Sequence, residues 1–198
     1  GFGSVAKYIA TSTYEASLDV ASMANSSTKV FLLEVMGRHA GWLAASAGVI
    51  IDNNSMPPHL ILLPEIVFDE KKFLLKIKNT VNNYGYCVIV TSEGIKNKKK
   101  EFLSASSTKD SFGHSHLGGV APKLAKMITD KLSYKVHWAV ADYLQRSARH
   151  IGSSVDVNQA YDIGYKALEY AKTGIHGVML TINKKKTKNY QWEIKYTK

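Results

Sequence analysis

Lys29-Val30-Phe31-Leu32-Leu33-Glu34-Val35-Met36 is an apolar run rich in branched side chains, and Gly37-Arg38-His39 follows it at once. The run lacks the alternation of a half-exposed strand and is too short for a buried helix. It predicts a strand covered on both faces. Gly37 permits a tight turn directly after it. Strands of this type belong to parallel sheets flanked by helices.

On either side the chain alternates in the same sense. Residues 4–25 predict a helix, with Val5, Ile9, Leu18 and Met23 near helical spacing and Ser4 as its N-cap. Residues 39–50, rich in Ala and Leu, predict a second helix. A short strand at 60–63 and a helix at 69–81, capped by Asp69, come next, then a buried strand at 86–91. A polar, lysine- and serine-rich excursion occupies 96–113. Beyond it come a helix at 117–132 entered through Gly118-Gly119, a strand at 135–141, and a long helix at 157–173 ended by Gly174. Strands at 176–183 and 190–196 form a hairpin. The alternation argues for a layered α/β fold with a mainly parallel sheet, as one domain or part of one.

Bulk composition narrows the class. The chain has 198 residues, 45% apolar and 21% charged, which suits a globular protein with a real core. No apolar stretch approaches the roughly 20 residues that cross a bilayer, and the sequence shows no basic start followed by an apolar segment. Cys87 is the single cysteine, so no disulfide forms within the chain, and a reducing, cytoplasmic setting is expected. The formal charge of +10 is concentrated in two lysine runs, 96–100 and 184–188. Neither is interleaved with aromatics as a single-strand binder requires, so neither a nucleic-acid nor a membrane partner is expected. The chain opens Gly1-Phe2-Gly3-Ser4 without methionine, where a longer chain is expected to continue upstream.

Chemistry collects where predicted strands stop, the edge at which parallel sheets bind ligands. After the first strand, Gly37 brings the backbone close to a ligand and Arg38 offers a planar fork of donors suited to phosphate. After Val88-Ile89-Val90-Thr91-Ser92, the carboxylate of Glu93 suits sugar hydroxyls. After Trp138-Ala139-Val140-Ala141 come Asp142-Tyr143-Leu144-Gln145-Arg146-Ser147-Ala148-Arg149-His150, dense in cations. Each segment alone is open to a plainer reading as turn chemistry, a cap, or a salt-bridge cluster around Asp142. Together they describe a site for a phosphorylated, hydroxyl-rich small molecule. His114-Ser115-His116 lacks the nearby cysteines or carboxylates that a zinc site needs, and no metal is assigned to it.

Val35-Met36-Gly37-Arg38-His39-Ala40-Gly41-Trp42 and Asp142-Tyr143-Leu144-Gln145-Arg146-Ser147-Ala148-Arg149-His150 resemble the phosphofructokinases. Gly1-Phe2-Gly3-Ser4 and Leu117-Gly118-Gly119-Val120-Ala121-Pro122 fit the same family, and the resemblance runs from Gly1 to about Ile182. His39-Ala40-Gly41 and Tyr143-Leu144-Gln145-Arg146-Ser147-Ala148 are similar to the pyrophosphate-using branch. ATP-using bacterial relatives instead carry Tyr-Cys-Gly and His-Ile-Gln-Arg-Gly-Gly at these places.

The resemblance implies phosphorylation of fructose 6-phosphate to fructose 1,6-bisphosphate by pyrophosphate, with magnesium, in a homo-oligomer. It implies that Met36, Gly37 and Arg38 hold the sugar phosphate near the transferring group and that Glu93 binds sugar hydroxyls. It further implies that Tyr143 and Arg146 grip the ketose and its 6-phosphate and that Lys29 reaches a neighbouring subunit's substrate. Another basic contact of ATP-using relatives falls near His137. The family's aspartate-rich loop, which supplies the catalytic base and helps to place magnesium, is expected upstream of Gly1 together with the donor-binding segment. The chain alone is therefore expected to be inactive, as the substrate-binding portion comprising one domain and part of a second. ATP as donor, or a non-catalytic sugar-phosphate-binding subunit, are the alternatives.

Overall fold

The computed structural model describes residues 1–51, 56–103 and 119–198. In chain order it contains α1 (Phe2–Met23), β1 (Val30–Val35), α2 (Trp42–Ser46) with a 3-10 turn (Ala47–Ile50), β2 (Leu60–Leu62) and α3 (Glu70–Tyr84). Then follow β3 (Cys87–Ser92), α4 (Val120–Leu132), β4 (Val136–Val140), α5 (Leu144–Ser147) with a 3-10 turn (Arg149–Ile151), α6 (Ser154–Lys172), β5 (Met179–Lys184) and β6 (Trp192–Thr197).

Strands β2-β3-β1-β4 form one sheet in that order, parallel throughout, and β5 pairs with β6 as an antiparallel hairpin. The layered α/β fold with a mainly parallel sheet is therefore the one observed. Its middle strands are the two apolar runs: every residue of β3 is buried, and all of β1 but Phe31. Side chains of β1 alternate between two cores. Val30 and Leu32 pack with Ile89 against Phe73 and Ile77 of α3 and Leu124 and Ile128 of α4. Leu33 and Val35 pack with Val90 against Ile9 of α1 and Ala44 of α2. Because both faces are covered, nearly every β1 position must be apolar, and this is what made the strand readable. Cys87 is wholly buried, and burial pushes its thiol up to about 12, so it behaves as a small hydrophobe.

Helix ends depart from expectation where a distant residue intervenes. Ser4 does not cap α1, which starts earlier, at Phe2. Its amide and hydroxyl both donate to Asp156 Oδ2 at 2.6 Å, so a carboxylate 152 positions away serves one orphan amide of the first turn. The helix expected over 39–50 shrinks to Trp42–Ser46 and the 3-10 turn, and the amide of its N-cap residue Gly41 donates to Glu65 Oε1 at 2.7 Å. Asp69 caps α3 as expected, accepting from the Lys72 amide at 3.1 Å. The 96–113 excursion lies in large part outside the described residues, as do His114-Ser115-His116 and Gly118.

Candidate active site

Parallel pairing in register brings three strand ends together. Val35 lies beside Ser92 and Glu34 beside Val140, so the segments after β3, β1 and β4 emerge side by side at the carboxyl edge. Met36-Gly37-Arg38, Glu93 and Tyr143–Arg146 thus come to one rim although they are far apart in the sequence.

Buried polar groups fix the rim. Gly37 adopts φ +134°, and a Cβ there would come within 2.7 Å of the Ala40 carbonyl oxygen, so only glycine makes this turn. Its amide donates to Glu93 Oε1 at 3.2 Å, and its carbonyl accepts from Ser92 Oγ. Ser92 Oγ in turn accepts from the Gly94 amide at 3.0 Å. Gly94 packs so tightly that a Cβ would lie 2.1 Å from the Arg38 carbonyl oxygen. The Arg38 turn therefore rests on the backbone after β3. On the other side, the Met36 amide donates to Gln145 Oε1 at 3.3 Å.

Arg38 and Glu93 are half-buried; Tyr143 and Arg146 are exposed. The Arg146 guanidinium lies 5.3 Å from the Tyr143 ring centroid, within cation–π range, which limits its rotamers. The plainer alternative, a salt-bridge cluster, does not form: among the described residues the Asp142 side chain pairs with neither Arg146 nor Arg149. The rim segments carry Arg38 and Arg146 near a glycine turn, and Glu93, whose Oε2 takes no partner among the described residues. Forks match phosphate oxygens and carboxylate oxygens accept from hydroxyls.

Two members of this neighbourhood carried no signal in the sequence. Glu34, fully buried on β1, accepts from the Gly119 amide at 3.1 Å and the Ala121 amide at 2.8 Å, closing the N-terminus of α4 where no local side chain caps it. Burial raises its carboxyl above the ordinary value, Glu93 adds to the rise, and the α4 amides oppose it. Gln145 is the other.

Lys29 does not join the rim. It precedes β1 at the opposite end of the sheet, where its ammonium donates to the Ala24 carbonyl after α1. His137, on exposed β4, pairs with Phe31 near the same end. Among the described residues no group of three or more His, Cys, Asp or Glu side chains is placed to hold a metal. Glu93 alone does not make a magnesium site, which takes near-octahedral oxygen ligands.

The family model described as Phosphofructokinase matches residues 1–171. The chain belongs to the phosphofructokinase family. It is 55% identical over 194 residues to a pyrophosphate–fructose 6-phosphate 1-phosphotransferase of Halomonas elongata, covering 98% of this chain and 46% of that protein. A solved pyrophosphate-dependent phosphofructokinase from Marinobacter aquaeolei superposes with a TM-score of 0.79 at 52% identity, covering 99% of this chain and 45% of that one. An ATP-dependent 6-phosphofructokinase of Mycobacterium tuberculosis is 31% identical over 162 residues, 81% of this chain and 45% of that protein. The chain thus spans about half the length of these three relatives.

Proposed function

We propose that this chain carries the fructose 6-phosphate site of a pyrophosphate-dependent phosphofructokinase. The observation that carries the reading is the convergence of Met36-Gly37-Arg38, Glu93, Tyr143 and Arg146 on one carboxyl edge, in a chain of this family. Arg146 and Tyr143 hold the ketose and its 6-phosphate, and Glu93 orients the sugar hydroxyls. Arg38 faces the phosphoryl group in transfer, where charge neutralisation and alignment do most of the work. In the whole enzyme the sugar's 1-hydroxyl oxygen attacks a phosphorus of pyrophosphate, the bridging P–O bond breaks and orthophosphate leaves. The hydroxyl proton passes to a base carried outside the described residues.

Pyrophosphate is the donor that similarity favours, since relatives named for it reach 55% identity and one named for ATP 31%. Magnesium belongs to this reading for the whole enzyme, with its ligands beyond the groups described here. Lys29, turned away from its own rim, suits a role at a neighbouring subunit's substrate in a homo-oligomer. The parallel-sheet portion forms one domain, and α6 with the β5–β6 hairpin part of a second. A reducing cytoplasm agrees with the lone buried Cys87.

The test joins this chain to the part of the Halomonas relative that it does not span and assays fructose 1,6-bisphosphate formation with pyrophosphate. Turnover that Arg146→Ala lowers is expected. No turnover, or turnover that Arg146→Ala leaves unchanged, would reject the site.

A further inference from the structure

Gln145 is 1% exposed and sits between two of the exposed residues of the rim, Tyr143 and Arg146. Its Oε1 accepts from the Met36 amide at 3.3 Å, and its Nε2 donates to the Asp142 carbonyl at 2.8 Å. Only one orientation of the side-chain amide satisfies both partners, because a flip would set donor against donor and acceptor against acceptor. Met36 and Gly37, consecutive after β1, thus give their amides to side chains from opposite neighbours: Met36 to Gln145 beyond β4, Gly37 to Glu93 beyond β3. Helix α5, which bears Gln145 and Arg146, is four residues long and has no side-chain cap. A single turn does not hold its own place.

We propose that Gln145 is a positioning residue, a buried brace that sets the spacing between the Arg38 turn and the Tyr143–Arg146 arm. It touches neither substrate nor reacting atom. It acts because the two arms must grip one ligand at once, and the Met36–Gln145–Asp142 chain of hydrogen bonds links them. The proposal deepens the sugar-phosphate reading and rests on it.

The test uses the full 198-residue chain as wild type, Gln145→Met and Gln145→Glu. Amide exchange is read by NMR at Met36, Leu32 and Ile89, and fructose 6-phosphate is titrated calorimetrically. In Gln145→Met the Met36 amide should exchange about tenfold faster and the sugar phosphate bind about tenfold more weakly. Leu32 and Ile89, inside the sheet, should keep wild-type protection. Gln145→Glu supplies the rescue, because a protonated carboxyl accepts and donates as the amide does. Its affinity relative to wild type at the same pH should recover as the pH is lowered; the methionine variant's should not. The wild type, measured at the same pH, carries the same remaining titratable groups and is the reference for both variants. Faster exchange throughout the sheet, or failure of Gln145→Met to fold, would assign Gln145 to the fold and overturn the proposal. Wild-type Met36 exchange, or wild-type affinity, in Gln145→Met would overturn it too. Should the wild type itself ignore fructose 6-phosphate, the sugar reading fails, while Met36 exchange still judges the brace.

Discussion

Arg146 reaches solvent with its guanidinium against the Tyr143 ring, and it makes no ion pair among the described residues. An incoming phosphate therefore displaces water and no protein anion. Arg146→Ala should weaken fructose 6-phosphate binding about 10- to 150-fold, the range for losing a charge-assisted hydrogen bond, as read by calorimetry on the folded chain. Affinity equal to wild type would remove Arg146 from the site. Arg38, Glu93 and Arg146 were legible in the sequence because each follows an apolar run that must end at the sheet's edge. Glu34 and Gln145 were not. Most buried polar side chains have hydrogen-bond partners, and here the decisive ones are distant in sequence, the Gly119 and Ala121 amides for Glu34 and the Met36 amide for Gln145.

Among the elements, β2 is an outer strand of the sheet and only three residues long, and a side chain extends its ladder. The His59 amide donates to the Val88 carbonyl at 2.9 Å, and His59 Nδ1 accepts from the Val88 amide at 3.0 Å. Tyr84 and Tyr86 flank the ring at 5.5 and 5.1 Å between centroids. Burial holds the imidazole below its ordinary value of 6.5. A protonated ring has no lone pair at Nδ1 for the Val88 amide. With the folded value depressed, the unfolded chain binds the proton first, so stability is full above about 6.5 and is lost as the pH falls below it. The denaturant midpoint of the wild-type chain should drop through that window, and the non-titrating His59→Gln variant should lose that step. An identical pH profile in the two proteins would contradict the assignment. Element types were legible from periodicity, whereas element ends were set by Asp156 at α1 and Glu65 at Gly41. Such partners are distant in sequence, so no local pattern announces them.

At the scale of the whole molecule, two regions are thinly covered. Trp138 and Val140 of the outer strand β4 are 48% and 38% exposed. Tyr161, Tyr165 and Leu168 of α6 are also exposed, with Gln159 the helix's one buried residue among those described. The hairpin nonetheless packs on α6, through Trp192 Nε1 to Asp162 at 2.9 Å and Gln159 Nε2 to the Tyr190 hydroxyl at 2.8 Å. The rim, by contrast, is fixed within the described residues, with Gly37, Glu93, Ser92 and Gly94 linked at the carboxyl edge of the parallel sheet. The rim should therefore recognise its ligand in this chain without the other half of the family's length. Calorimetric titration of the purified 198-residue chain with fructose 6-phosphate, and separately with fructose, tests this most directly. Saturable binding of the phosphorylated sugar at one site per chain, with no measurable binding of fructose, is the expected result; equal or absent heats for the two sugars would contradict a sugar-phosphate site on this edge.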